Sequence, residues 1–101
     1  FSLAQNYPNP FNPTTDITYQ LPALRSGQTA GVLGVESTAN SFVTLKVFDV
    51  LGREVAMLVN ELQVPGTYNV RWDASGMPSG MYVYRLTAGD FVSVRKMVLT
   101  K

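Results

Sequence analysis

Cysteine and histidine are both absent from the 101 residues of this chain. Without cysteine the chain can form neither a disulfide scaffold nor a thiolate nucleophile. Without histidine it lacks the commonest general base, and the two absences together remove the usual ligands of a zinc site. We therefore expect no catalytic residues, no metal site and no cofactor, and we expect that the protein is not an enzyme.

Charge is also scarce. Charged residues make up 15% of the sequence, well below the roughly 25% of an average globular domain. The net charge is +1, and the basic residues are spread along the chain instead of forming the patch that binds nucleic acid. No apolar run approaches the roughly 20 residues that a membrane span needs. No signal-peptide pattern opens the chain, and we expect a single domain of a longer protein.

Seven carboxylates remain as candidate acids or ligands. Most of them fall at predicted turns or strand ends, where capping or solvation explains them. A calcium site in which Asp73 or Asp90 joins loop carbonyl oxygens is the one metal alternative that the sequence leaves open. No glycine-rich phosphate loop leads from a strand into a helix.

Short segments in which apolar and polar residues alternate make up most of the chain. This period of two is typical of half-buried strands. We predict strands over residues 14–21, 42–49, 53–59, 67–73, 80–87 and 91–100. In the third of these, the alternation places Val55, Met57 and Val59 on one face. No segment keeps a helical period, so the sequence predicts an all-β fold, an immunoglobulin-like β-sandwich of about seven antiparallel strands.

Two segments do not fit the strand pattern. Residues 1–13 hold three of the six prolines, which fix φ and favour extended backbone. We predict that they form an extended lead-in from a preceding domain, held in place by Tyr7 and Phe11, with the sandwich itself over 14–101. Residues 22–41 contain no aromatic residue, and we predict a long loop or insertion there, with a short edge strand inside it as the alternative.

The last two predicted strands form a hairpin around a tight turn over residues 88–90. The closing strand is apolar on both faces, so it either lies between partner strands or offers its edge to another protein. Its basic residues allow two interpretations. Arg95, Lys96 and Lys101 either orient a partner electrostatically or protect an exposed edge from aggregation. The same strand is a candidate for self-association.

Several local motifs occur in an order that is similar to one known family. They are Leu-Ala-Gln-Asn-Tyr-Pro-Asn-Pro-Phe-Asn-Pro-Thr-Thr over 3–15, Val-Phe-Asp-Val-Leu-Gly-Arg-Glu-Val over 47–55, Gly-Thr-Tyr over 66–68, Trp-Asp over 72–73, Pro-Ser-Gly-Met-Tyr over 78–82, and a basic ending with Lys96 and Lys101. Together they resemble the C-terminal sorting domain of type IX secretion cargo. That family has a fold similar to the immunoglobulin-like domain of the flagellar hook-capping protein. The resemblance covers nearly the whole chain except residues 23–41.

The resemblance implies a secretion and sorting signal without enzymatic activity, placed after an N-terminal passenger. An outer-membrane translocon would recognise the folded domain after transit through the periplasm. A sortase-like peptidase would then remove it, leaving the passenger at the cell surface or secreted. The implied recognition residues are Gly80, Tyr82, Arg95, Lys96 and Lys101. The implied passenger junction comprises Asn9, Pro10, Phe11, Asn12 and Pro13.

A structural or carbohydrate-binding accessory module of a larger secreted protein is the second interpretation. Sugar binding needs an exposed platform of aromatic rings, whereas the predicted strands turn Tyr68, Trp72, Tyr82 and Tyr84 toward the core. We therefore interpret Trp72 as a core anchor. An exposed Trp72 or Tyr84 would favour sugar binding, and an accessible terminal strand would favour sorting.

Overall fold

The computed structural model describes residues 1–22 and 40–101. In these ranges the chain folds into two antiparallel β-sheets. The strands in these ranges are β1 (Ser2–Leu3), β2 (Thr14–Leu21), β3 (Ser41–Phe48), β4 (Glu54–Gln63), β5 (Gly66–Asp73), β6 (Gly80–Ala88) and β7 (Phe91–Leu99). One sheet has the order β1-β2-β5 and the other the order β4-β3-β6-β7. The prediction of an all-β, immunoglobulin-like sandwich is confirmed.

Most of the predicted loop over 22–41 lies outside the described residues, and so does the edge strand considered inside it. The described part of the chain contains no helix that is long and apolar enough to cross a membrane.

The core lies between the two sheets and follows the predicted alternation in most strands. In β2 and β3 every second residue is buried, because successive side chains of a strand point to opposite faces. The buried apolar residues are Leu3, Phe11, Ile17, Tyr19, Leu21, Val43, Leu45, Val47, Val59, Trp72, Ala74, Tyr82, Tyr84, Leu86, Ala88, Met97 and Leu99. Trp72 is 5% exposed and packs against the rings of Phe11 and Tyr82. Its prediction as a core anchor is confirmed.

Strand β4 departs from the predicted pattern. It is longer than expected, and Met57, which was predicted to share a face with Val59, is exposed while Val59 is buried. Leu45 pairs with Val59, but the next residue, Lys46, already pairs with Met57. One residue of β4 between these two pairs is therefore unpaired in a β-bulge, which reverses the facing of the residues that follow it toward the start of β4. A second register shift lies between Val47 and Phe48. The prediction of one shared face was wrong because simple alternation does not reveal a bulge.

The connection between β1 and β2, residues 4–13, is here named the N-terminal strap. It crosses from the edge of the three-stranded sheet to the edge of the four-stranded sheet. Of the two aromatic residues predicted to hold it, Phe11 is 1% exposed and Tyr7 is 80% exposed. Tyr7 instead exchanges backbone hydrogen bonds of 2.9 Å with Asp16. Residues 1–13 thus contribute β1 and two isolated β-bridges, at Tyr7 and at Phe11, to the sandwich.

A buried hydroxyl fastens the strap to the core. The Tyr84 hydroxyl donates a hydrogen bond of 2.7 Å to the carbonyl oxygen of Ala4 and accepts one of 2.8 Å from the backbone N–H of Asn6. Nearby, the Asn6 side chain donates to Thr15 Oγ1 and to the carbonyl oxygen of Pro8. Buried polar groups of a proline-rich segment are satisfied in this way by side chains.

We predict that Tyr84→Phe lowers the free energy of unfolding by about 1–3 kcal/mol, because it leaves a backbone N–H and a carbonyl of the strap without their partner. The ring itself and its packing stay in place. Urea denaturation of the two proteins measures the difference. A change below about 0.5 kcal/mol would show that the strap is not fastened by this hydroxyl.

Stability is also expected to fall at alkaline pH. Burial raises the pKa of the Tyr84 hydroxyl, and burial raises the pKa of Tyr19, whose hydroxyl donates to Gln63. A tyrosine in the unfolded chain titrates near pH 10, so the unfolded chain loses these protons at a lower pH than the folded protein. The free energy of unfolding therefore decreases as pH rises above about 10 toward the folded-state pKa. Urea denaturation at pH 8 and pH 11 checks this, and Tyr84→Phe should show the smaller decrease; equal stability at both pH values would contradict it.

Candidate recognition site

The predicted recognition residues fall into two groups in the structure. Gly80, Tyr82 and Lys101 lie at one end of the sandwich, where β6 begins and the chain leaves β7. Arg95 and Lys96 lie further along β7, where they pair with Tyr84 and Val83 of β6. The antiparallel pairing of β6 with β7 places Gly80 opposite Leu99. Gly80, Tyr82 and Lys101 are therefore near one another only because β6 and β7 form a hairpin.

Tyr82 is a core residue. Its ring packs edge-on against Trp72 with centroids 5.5 Å apart, and its hydroxyl donates a hydrogen bond of 2.6 Å to the carbonyl oxygen of Pro78. Burial raises the pKa of this hydroxyl, and the negative charge of Asp49 raises it further. Tyr82 thus holds the loop that precedes β6, and it presents no ring to the solvent. Lys101 is exposed, and its Nζ donates a hydrogen bond of 3.1 Å to the carbonyl oxygen of Ser75 in the same loop.

Arg95 bridges the two sheets at their open edge. Its Nε donates a hydrogen bond of 2.6 Å to the carbonyl oxygen of Leu3, which lies in β1 of the other sheet. Lys96 is exposed, while its carbonyl oxygen accepts a hydrogen bond of 2.7 Å from the Gln5 side chain of the strap. The two neighbouring basic residues therefore differ: Arg95 is engaged within the domain, and the Lys96 side chain points outward.

The outer edge of β7 is partly covered by the strap. The backbone N–H of Phe11 donates to the carbonyl oxygen of Val98, and Phe11 accepts in turn from the N–H of Thr100, both over 2.9 Å. The Asn9 side chain accepts from the N–H of Val98 over 3.0 Å. Further along this outer edge, Val92 and Val94 pair with β6 on their inner side, and no described residue pairs with them on the outer side. The terminal strand is thus accessible over its first half.

These contacts join the predicted passenger junction to the terminal strand, which carries part of the predicted recognition site. Of the residues assigned to the passenger junction, Asn9 and Phe11 bond directly to the end of β7, and the carbonyl oxygen of Pro13 accepts from the N–H of Ala74. Pro10 and Asn12 are exposed between them. The junction segment and the terminal strand therefore form one continuous structure, with Phe11 in the core at its centre.

The turn between β3 and β4, residues 49–53, was not assigned to the site from the sequence. The Asp49 carboxylate accepts hydrogen bonds from the backbone N–H groups of Leu51 and Arg53 and from Arg53 Nε. These bonds, chiefly the one from the Arg53 backbone, hold the Asp49 pKa below its usual range. Gly52 supplies the positive φ of 83° that the turn requires.

This turn faces the segment 78–82 across a groove of about 200 Å³. The motifs of both segments are visible in the sequence. Their proximity follows only from the pairing of β3 with β6, which places Phe48 opposite Val83. A local pattern contains no information about that pairing, so the turn could not have been assigned to this end of the sandwich beforehand.

The alternative sites gain no support from the geometry. Trp72 and Tyr84 are both buried, so they form no sugar-binding platform. The Asp73 carboxylate accepts hydrogen bonds from the hydroxyl and from the backbone N–H of Ser75, and these bonds lower its pKa. Within residues 1–22 and 40–101, no three potential side-chain ligands come close enough together to hold a metal ion.

The fold is a small β-sandwich whose terminal strand is bonded to the N-terminal strap along one part of its outer edge and accessible along the rest. In a comparison with protein-family models, residues 5–100 match the secretion system C-terminal sorting domain. The chain belongs to this family, the sorting domains of type IX secretion. A search of curated proteins returns no match. The domain is accordingly a C-terminal sorting signal that acts with the secretion machinery, for export to the cell surface or for secretion, and such domains are typically not enzymes.

Proposed function

We propose that the outer-membrane translocon of the type IX system recognises this domain in its folded form, at the end of β7 together with the strap that covers it. The observation that supports this most is the direct bonding between Phe11 and the end of β7. Those groups are adjacent only in the folded chain, because they are separated by almost the whole sequence. An unfolded chain would not present this arrangement to a receptor.

Each predicted recognition residue receives a role in this proposal. Lys96 and Lys101 are exposed cations that orient the translocon, since rim charges steer association. Arg95 positions β7 against β1, and Tyr82 positions the loop before β6. Gly80, with its φ of 149°, shapes the entry into β6.

The domain folds in the periplasm behind its N-terminal passenger, and a sortase-like peptidase then cuts near the passenger junction at the cell surface. The exposed residues of the strap, Tyr7, Pro10 and Asn12, offer that enzyme accessible backbone, while the buried Phe11 does not. The passenger is left at the surface or released.

The experiment uses a reporter fused before the domain and directed to the periplasm of a host with the type IX system. We expect a Lys96→Ala/Lys101→Ala domain to deliver much less reporter to the surface than the wild-type domain. Arg71→Ala is the matched control, because it removes an exposed cation from the three-stranded sheet. All three domains must unfold cooperatively in urea.

Equal surface delivery by the double substitution and the wild type would contradict the role of these lysines. The peptidase step has its own readout, the mass of the passenger recovered from the surface. A passenger that has lost the domain supports cleavage, and a passenger that retains it at the surface contradicts cleavage.

A further inference from the structure

The two outer faces of the sandwich differ in chemistry. On the three-stranded sheet the outward residues are polar and bonded to one another: Arg71 donates to Asp16 over 3.1 Å, and Asn69 donates to Thr18 over 3.0 Å. On the four-stranded sheet the strands expose Phe42, Met57, Leu62, Met81, Val92 and Val94. The outward side of the four-stranded sheet is here named the outer β-face. An antiparallel sheet that faces water on one side normally carries polar residues there, so this face is suited to contact with another molecule.

The outer β-face contains a shallow groove of about 490 Å³ at the end near the β3–β4 turn. Its lining includes Phe48, Asp49, Met81, Val83, Arg85 and Val94. Val50 and Leu51 project from the turn with more than two thirds of their surface exposed. The groove thus continues into an apolar tip, and no described segment covers either of them.

Positive charge exceeds negative charge on this face. Arg85 lies over the Phe48 ring at 4.8 Å, and Lys96 pairs across the strands with Val83 beside it. Lys46 is neutralised by Glu54 at 3.4 Å. The remaining carboxylate at the groove, Asp49, is bonded to Arg53. Arg85 and Lys96 therefore have no acidic partner among the described residues, although they lie within an apolar surface.

We infer that the outer β-face docks on a protein surface of the secretion machinery that combines apolar side chains with carboxylates. This inference rests on the proposed function and specifies the chemistry of the partner. An apolar partner without acidic groups would leave Arg85 and Lys96 desolvated without compensation. A second copy of the domain placed on the same face would oppose cation to cation across a two-fold axis, so the charge favours a different, acidic partner.

The inference is tested by Val94→Glu. Val94 is about half exposed on the edge strand and lies opposite Arg85, so a carboxylate there removes apolar contact area and cancels the surplus charge without disturbing the core. Val94→Ile keeps the apolar contact. Asn69→Glu is the matched control, because it adds the same charge to an exposed position of the polar face.

Binding of each purified domain to the purified outer-membrane translocon gives the first readout. We expect Val94→Glu to weaken binding about tenfold or more, as substitution within an interface centre does, and we expect Val94→Ile and Asn69→Glu to bind like the wild type. Equal binding by Val94→Glu and Asn69→Glu overturns the inference. So does binding of the wild type to phosphatidylglycerol–phosphatidylethanolamine vesicles with no binding to the translocon, or dimerisation that Val94→Glu abolishes in sedimentation.

Delivery of the reporter fusion separates this inference from the function on which it rests. If the wild type and Val94→Glu are delivered equally, the sorting function stands and the outer β-face is not its docking surface. If the wild type is not delivered by a host that secretes its own cargo, the proposed function fails, and the inference fails with it.

Discussion

Replacing Phe11 with alanine is expected to lower the free energy of unfolding by about 3–5 kcal/mol. The ring is almost fully buried and packs against Trp72, with centroids 5.8 Å apart. Its removal leaves a cavity between the sheets at the point where the strap meets β7. A loss of this size is a large part of the 5–15 kcal/mol that stabilises a typical domain.

Urea denaturation of the wild type and Phe11→Ala measures this loss. Tyr7→Ala is the control, because Tyr7 belongs to the same strap and its ring is exposed; its effect should stay within about 0.5 kcal/mol. If Phe11→Ala changed stability no more than Tyr7→Ala, the strap would be a lead-in outside the core, contrary to the packing described here.

Removing residues 96–101 is expected to prevent the domain from folding. Met97 and Leu99 are buried, and the loss of each costs about 2–5 kcal/mol by analogy with large-to-small core substitutions. The sum is comparable to the stability of a whole domain. The truncation also removes the N–H and carbonyl groups of Val98 and Thr100 to which Phe11 and Asn9 bond.

Far-ultraviolet circular dichroism during thermal unfolding checks this expectation. Deletion of Lys101 alone is the control, since it removes an exposed residue beyond β7. A truncated domain that kept a cooperative transition would show that β7 is dispensable for folding. The consequence for secretion assays is direct: loss of export after truncation reports unfolding, so recognition must be probed with substitutions such as those at Lys96 and Lys101.

The parts of the fold that were predicted from the sequence depend on the local alternation of apolar and polar residues. In β2 and β3 strict alternation defines the buried face, and the predicted strand over 14–21 matches β2. In β4 a bulge breaks the alternation, so the facing of Met57 was predicted wrongly. The prolines of residues 1–13 indicated extended backbone, and they contained no information about what that backbone packs against. The burial of Phe11 depends on a partner strand almost ninety residues away.

The sequence predicted which residues belong to the candidate site better than it predicted how they are arranged. The motifs indicated Gly80, Tyr82 and the basic residues, yet only the fold shows that Tyr82 faces the core and that Arg95 bonds to Leu3. The outer β-face was not found in advance, because its residues come from four strands whose register the sequence does not specify. Tertiary pairing determines both the strap contact and this face.

The central claim is that these residues act as a type IX sorting signal. Surface delivery of one fusion protein tests it most directly. Residues 1–101 are fused behind a reporter that is exported to the periplasm, and the reporter is quantified on the surface and in the medium. The comparison is between a host with the type IX system and the same host lacking its outer-membrane translocon. The structure and its family predict delivery in the first host and retention in the periplasm in the second. Retention in both hosts, while the first still secretes its own cargo, would contradict the claim.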